Sequence, residues 1–253
     1  MARAAVPGGL KVRRAWRQAH LVERRRETDS AATLVLQVTG WPGHLAGQHI
    51  DVRLTAPDGY QAARSYSLAA PTNGDRIEIT MQRVADGEVS SYLVDDATNG
   101  DTVEVRGPVG GWFVWKPDHT APVLLVAGGS GVVPLMAMIR SRDGVTPPPF
   151  RLLYSVRTPE DRIYHQELRR RATQDSGLDI AFLYTRTAPG QEPRPVGRIT
   201  TQDLTAYGWP TEVEPTCYVC GPTPFVETVA DLLINLGHKP TRIRTERFGP
   251  TGP

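Results

Sequence analysis

This sequence predicts a two-domain β plus α/β protein, an N-terminal antiparallel β-barrel joined to a C-terminal, mostly parallel α/β sheet. Three observations carry that expectation. In the first half, short apolar runs are separated by turn-forming tripeptides. In the second half, strand-like apolar runs alternate with stretches of helical spacing. Between the halves lies KPDHTAP, Lys116 to Pro122, a polar segment carrying two prolines. A length of 253 residues also exceeds the usual single domain, and the division falls at 11–115 and 122–253.

Barrel strands are expected at ATLVLQVT, HIDVRLT, RSYSLA, RIEITMQRV and DTVEVRG, between Arg13 and about Val114, with WPG, PDG, TNG and ADG as turns. The third of these is unusual. Alternation sends Arg64 and Tyr66 to one face and Ser65 and Ser67 to the other, so a buried apolar role suits neither pair as a whole. One short helix interrupts the strands at GEVSSYLV, where serines stand at a helix start ahead of Tyr92, Leu93 and Val94.

After Pro122 the order is strand VLLVA, a glycine-rich turn, helix PLMAMIRSR, strand FRLLYSV, helix DRIYHQELRRRA, strands LDIAFLYT and CYVC, helix PFVETVADLLINLG and a last strand RIRTERF. In the long final helix Val226, Val229, Ala230 and Leu233 repeat at helical spacing for core packing, and Gly237 follows where a C-terminal cap belongs. The turn VAGGSGVVPLM, Val126 to Met136, sets Gly128, Gly129 and Gly131 between a strand and a helix with Pro134 in its first turn. Amides at such a helix start can hold a phosphate, although a bare tight turn needs glycines as well.

Composition narrows the classes of function. Lys and Arg number 29 against 27 Asp and Glu, a formal charge of +2, which gives no reason to expect a nucleic-acid binder. The runs Arg24-Arg25-Arg26 and Arg169-Arg170-Arg171 read as solvated faces or as a docking patch for an acidic protein. Cys217 and Cys220 have dithiol spacing, but residues three apart on a strand face opposite ways and no second pair completes a cluster. Six scattered histidines lack paired ligand spacing, so no metal site is expected. The opening MARAAVPGGL has no apolar signal region, and no run approaches the ~20 residues of a membrane span. A cytoplasmic protein is expected.

Four motifs stand in one order: Arg64-x-Tyr66-Ser67, then Gly87-x-Val89-Ser90-Ser91-Tyr92-Leu93, then Gly128 to Pro134, then Cys220-Gly221-Pro222. Together they resemble the ferredoxin-NADP reductase superfamily, in particular the bacterial stand-alone FAD-dependent reductases that lack their own iron–sulfur domain. The resemblance runs from about Arg13 to Phe248. It implies an FAD-binding barrel over 11–115 and an NAD(P)-binding domain over 122–253. It also implies an enzyme that passes hydride from NADPH or NADH to FAD.

On that resemblance Arg64 pairs with the FAD pyrophosphate, Tyr66 packs on the flavin ring and Ser67 hydrogen-bonds near flavin N5. Gly87, Val89, Ser90 and Ser91 add amides and hydroxyls at a helix start for the same pyrophosphate. Gly128, Gly129, Gly131 and Pro134 form the nicotinamide-dinucleotide turn, with Cys220, Gly221 and Pro222 beside the nicotinamide. Ser67, Cys220 and Glu246 are the implied catalytic residues, Glu246 assisting proton movement, and Phe248 shields the flavin. The family often has Thr before the proline where this chain has Val133, so one hydroxyl contact is missing.

An acid after the second parallel strand would bind both ribose hydroxyls and repel a 2′-phosphate. This chain has Arg157 there, and Thr185 and Arg186 after the next strand, where relatives that use NADPH place a hydroxyl and an Arg. NADPH is therefore expected over NADH. A plant-type iron–sulfur module needs four cysteines and this sequence has two, so the electron acceptor is expected to be a separate molecule, first a ferredoxin, or a molybdenum or haem oxidoreductase. Two alternatives stand beside this reading: a reductase of a small acceptor such as free flavin, a ferric chelate or a quinone, and a non-catalytic flavin electron-transfer or sensor subunit.

Overall fold

The computed structural model describes residues 15–142 and 147–249, so the outer ends of the expected domains, 11–14 and 250–253, lie outside the described residues. The first domain is a six-stranded antiparallel sheet: β1 (Arg17–Thr28), β2 (Ala31–Gln37), β3 (His49–Thr55), β4 (Gln61–Ser67), β5 (Arg76–Gln82) and β6 (Thr102–Val109). Its spatial order is β4-β3-β6-β1-β2-β5, and the bridge between Leu68 and Ile79 joins the two outer strands into a barrel. Period-two alternation fills the interior with Leu34, Leu36, Ile50, Val52, Ile77, Ile79 and Met81. Full burial of one such side chain stabilises by roughly 1.5–3 kcal/mol. The short helix α1 (Glu88–Ser91) and the π-type turn Tyr92–Asp96 close one mouth with Val89, Leu93 and Val94.

Strand β1 is the element missing from the expected set. Its twelve residues, RQAHLVERRRET, bury only Ala19 and Leu21, and two bulges against β2 disturb its alternation. Arg24 from this strand donates to the carbonyls of Val94 and Ala97, which fixes the turn after α1. One member of the first arginine run is thus a structural clamp.

The second domain is a five-stranded parallel sheet: β7 (Val123–Gly128), β8 (Phe150–Val156), β9 (Leu178–Tyr184), β10 (Thr216–Pro222) and β11 (Ile243–Phe248). The helices are α2 (Val132–Arg140), α3 (His165–Gln174), α4 (Thr201–Tyr207) and α5 (Thr223–Asn235). Strand β7 is buried along its whole length, as a central parallel strand covered on both faces must be. The order β11-β10-β7-β8-β9 reverses direction between β7 and β10, so a crevice opens beyond their carboxyl ends. Cys217 lies in the apolar cluster on one face and Cys220 in the cluster on the other, both as free thiols.

Local chemistry moves one helix boundary and adds one helix. Thr158 and Asp161 form a capping box around the 3-10 turn Pro159–Asp161, so α3 starts at His165 and not at Asp161. Tyr164, in the left-handed region at φ 60°, separates turn from helix. Helix α4 was absent from the sequence reading; Thr200 and Asp203 cap it reciprocally. Gly237 takes φ 97° after α5, the left-handed stop expected of it.

The domains share a dense seam. Ala31, Ala46, Ala69, Phe113 and Trp115 from the first pack into the same cluster as α2 and β8. Tyr164 donates its hydroxyl to Thr80 and its amide to Glu27 Oε2 at 3.3 Å. Arg140 donates to the Ala69 carbonyl at 2.9 Å and pairs with both Glu78 and Glu167. No helix among the described residues is long and apolar enough to cross a membrane.

Candidate functional site

Strand β4 supplies one wall. It is an outer strand, paired on one side with β3 so that Arg64 faces Val52, Tyr66 faces Ile50 and Ser67 faces His49. The Tyr66 ring packs on the barrel core, yet its buried hydroxyl has no hydrogen-bond partner in the structure. Burial pushes the phenol up to about 12, with the Arg64 charge pulling weakly the other way. Arg64 is exposed and donates one Nη1 bond, 2.7 Å, to the carbonyl of its own neighbour Ala63. Ser65 behaves differently, donating to Asp51 Oδ1 at 2.6 Å, so of the two serines that alternation places on one face it is the one committed to the barrel's own polar contacts.

The helix α1 starts at Gly87, which carries no capping side chain. The expected serine cap is corrected here: the Ser90 hydroxyl accepts from the Val84 amide at 3.1 Å and donates to the Gly87 carbonyl at 3.3 Å. Ser90 and Val89 are buried, and a Cβ at Gly87 would stand 2.6 Å from Ser90 Oγ. The Ser90 hydroxyl is therefore turned inward, and the helix start offers its backbone amides together with the half-buried Ser91. A cavity of about 520 Å³ runs between the β3–β4 turn, Ala62 and α1, bounded by Tyr60, Val89 and Tyr92.

Glycines shape the opposite wall. Gly129 adopts φ 56°, and a Cβ on Gly131 would stand 2.1 Å from the Cys220 carbonyl oxygen. Only glycine lets the start of α2 sit so close to β10. Gly128 and Gly221 likewise leave room for the Phe225 ring, which a Cβ on either would meet at 2.7 or 2.8 Å. Val133 is buried in the interdomain cluster, and Pro134 is the third residue of α2. Pro222 precedes α5 as its N-terminal boundary residue.

The two walls meet at a cluster of titratable groups. Register places Cys220 opposite Glu246, and Glu246 Oε1 lies 3.6 Å from His49 Nδ1 across the domain seam. Burial raises Glu246 to about 7. Burial also raises the Cys220 thiol, with the Glu246 charge adding to it, and lowers His49 against the pull of Asp51. At neutral pH the cluster thus holds a thiol, a neutral imidazole and a carboxyl close to its midpoint. His49 was missed by sequence reasoning; its link to Ser67 and Glu246 is a matter of register and domain packing.

Arg157, Thr185 and Arg186 converge at the outer end of the crevice. The Arg157 carbonyl accepts from the amides of Arg186 and Thr187 at 2.9 and 3.2 Å, which holds the two loops together. Both residues are exposed, neither forms an ion pair among the described residues, and Asp203 pairs with Arg194. The buried Arg194–Asp203 pair anchors the loop that follows Arg186, since Arg194 also donates to the Tyr184, Pro195, Gly197 and Arg198 carbonyls. Phe248 ends β11 at 39% exposure, beyond Glu246 on the same strand face.

These features fit a flat, anionic dinucleotide on each wall. The orphaned Tyr66 hydroxyl and exposed Arg64 suit the flavin side, while the glycine cradle between α2 and β10 suits the nicotinamide side. Comparison with known proteins agrees. Residues 18–114 match the oxidoreductase FAD-binding domain, and residues 125–231 match the oxidoreductase NAD-binding domain. A glycine betaine monooxygenase reductase subunit of Pseudomonas aeruginosa is 32% identical over 212 residues, 82% of this chain and 57% of that protein. The chain therefore spans little more than half the length of that relative. The flavohem-like FAD/NAD binding domain of nitric oxide dioxygenase from Vibrio cholerae superposes with a TM-score of 0.81 at 25% identity, covering 92% of this chain and 99% of that one. A ferredoxin NADP+ reductase from Neisseria gonorrhoeae, solved with bound FAD and NADP, shares the fold with a TM-score of 0.75 at 19% identity over 92% and 98% of the two chains.

Proposed function

The chain belongs to the ferredoxin-NADP reductase superfamily, an oxidoreductase FAD-binding domain followed by an oxidoreductase NAD-binding domain, and on that footing we propose that it passes hydride from NADPH to FAD and single electrons onward to a separate protein acceptor such as a ferredoxin. The observation that carries this reading is the meeting of the two walls: Ser67 beside His49, His49 against Glu246, and Glu246 beside Cys220. FAD supplies the hydride acceptor and the ability to release two electrons one at a time.

The chain's own residues do the remaining work. Arg64 and the α1 amides neutralise the FAD pyrophosphate, and the Tyr66 ring covers one flavin face while its hydroxyl gains the partner it lacks. The Gly128–Gly131 backbone and Cys220 position the nicotinamide for transfer. Ser67 orients the reacting edge, Glu246 exchanges the proton through His49, and Phe248 covers the site when the nucleotide is away. Arg157 and Arg186, held together by a backbone bond and exposed, favour a 2′-phosphate. A cytoplasmic location suits the use of that nucleotide.

Anaerobic stopped-flow absorbance of the FAD-loaded protein, mixed separately with NADPH and NADH, tests the reading. NADPH should bleach the flavin band faster, and Arg186→Ala should remove that preference by raising the NADPH dissociation constant at least tenfold with little effect on NADH. Bound FAD that neither nucleotide reduces would overturn the reductase function in favour of a sensor or transfer subunit.

A further inference from the structure

Strand β9 is an outer strand of the second sheet, and helix α3 packs beside it. Alternation turns Ile180, Phe182 and Tyr184 to one side of β9, and Ile180 and Phe182 stay half-buried at this edge. On α3, His165, Arg169 and Ala172 repeat at helical spacing and meet Ile180 and Phe182 across a groove of about 430 Å³. Its floor is apolar and its rim is basic. The Arg162 guanidinium stands 5.4 Å from the centre of the Phe182 ring and 6.0 Å from that of Tyr184, and His165 meets Phe182 edge-on at 6.1 Å. Arg162 is held in that position: Nε donates to the Pro159 carbonyl at 2.6 Å and Nη1 to the Tyr184 hydroxyl at 3.2 Å.

Among the described residues no carboxylate lines this groove. Glu167 of α3 is taken by Arg140 and Arg171, and the exposed Glu160 lines the neighbouring cavity, which shares Arg162 and His165 with this one. Arg162 and Arg169 form no ion pair among the described residues. Burial first, then the charges of Arg162 and Arg169, lower the His165 imidazole below its usual value, so the three groups share one field. Gathering like charges without a counter-charge is unfavourable, and a bound anion relieves it. A volume of this size with a few convergent polar groups suits a small organic molecule. A guanidinium bonds a carboxylate in bidentate fashion, and a half-open aromatic ring accepts a second ring against it. We propose that the α3–β9 groove binds a small aromatic carboxylate, its ring against Ile180 and Phe182 and its carboxylate between Arg162 and Arg169. The groove shares no residue with the Arg157, Thr185 and Arg186 cluster or with the flavin wall, so it is a second site that hydride transfer does not use. The second arginine run therefore divides: Arg171 closes on Glu167, and Arg169 serves the groove.

Isothermal titration calorimetry of the FAD-loaded protein with benzoate, benzyl alcohol, acetate and inorganic phosphate tests the site. Benzoate should bind once per chain and the other three at least tenfold more weakly, because only benzoate satisfies floor and rim together. Arg162→Gln and Arg169→Gln should each raise the benzoate dissociation constant at least fivefold. Arg169 is exposed, so its variant should keep the wild-type Tm, flavin content and rate of flavin bleaching by NADPH. Absence of benzoate binding, phosphate binding as tight as benzoate, or benzoate affinity unchanged in both variants overturns the assignment. Saturating NADP+ should leave benzoate affinity as it is; mutual exclusion would put benzoate on the nucleotide path and overturn a second site. Binding is read without turnover, so a protein that takes up benzoate while NADPH leaves its flavin oxidised keeps this site and loses only the hydride-transfer function.

Discussion

Tyr66 and Glu246 show how single side chains are held in states that water alone would not favour. A buried hydroxyl without a partner costs about 1–3 kcal/mol, so Tyr66→Phe should raise the Tm of the FAD-free protein while weakening FAD binding several-fold. Calorimetry and fluorescence titration on the same sample separate the two effects; a variant that loses stability and keeps its affinity would contradict the role. For Glu246, burial raises the folded pKa from 4.5 to about 7. The stability linked to its protonation is fully present below about 4.5 and is lost as pH rises through about 7. Glu246→Gln should therefore gain on wild type between pH 5 and pH 8, by on the order of 3 kcal/mol at most, while flavin reduction and reoxidation lose their pH dependence near neutrality. Thermal melts across that range check the sign, and a gap that shrinks with pH would refute it.

Among the elements, the β7–α2 turn leaves no room for a side chain at Gly131. Gly131→Ala brings a Cβ to 2.1 Å from a backbone oxygen, so α2 must move away from β10 and the amides of the turn with it. NADPH binding should fall at least tenfold while FAD binding in the other domain stays intact, measurable by titration of the FAD-loaded variant. Much at this scale was legible beforehand. Strand and helix periods separated the two halves, glycines marked the turn, and Gly237 marked the end of α5. Strand β1 was not legible, because a strand that buries Ala19 and Leu21 amid charged residues carries almost no alternating signal. Helix α4 is too short to show a face, and its Thr200–Asp203 cap lies in a loop rich in proline and glycine. At the site, Arg64, Tyr66 and Ser67 were visible as a polar cluster in a strand, whereas His49 acquires meaning only through pairing with Ser67 and contact with β11. The serine cap failed because a preceding turn offered Ser90 a nearer backbone partner.

For the whole molecule, the seam matters most. Tyr164 is buried, takes a left-handed backbone and bonds two groups of the other domain, Thr80 and Glu27, with Arg140 stacked 5.0 Å from its ring centre. Tyr164→Ala removes a buried aromatic anchor from the polar network of the seam, and loss of a buried aromatic costs about 3–5 kcal/mol. The expected result is two separate calorimetric transitions where wild type shows one, because each domain keeps its own core. A single transition in the variant, merely shifted down, would mean that the apolar cluster around α2 couples the domains without it.

The two thiols on opposite faces of β10 carry a consequence for wear. Sulfurs that point to opposite sides of one strand cannot join without dismantling it. Cys220 is 1% exposed, and its thiol is held well above the range in which it would ionise. If the proposed flavin function holds, oxygen reacting with reduced flavin would release peroxide next to this strand, and thiolates are what peroxide attacks. The fold keeps sulfur beside the working site in its unreactive form, so the protein should survive repeated turnover in oxygen without alkylation or oxidation at Cys220, a durability that mass spectrometry of the spent enzyme would record.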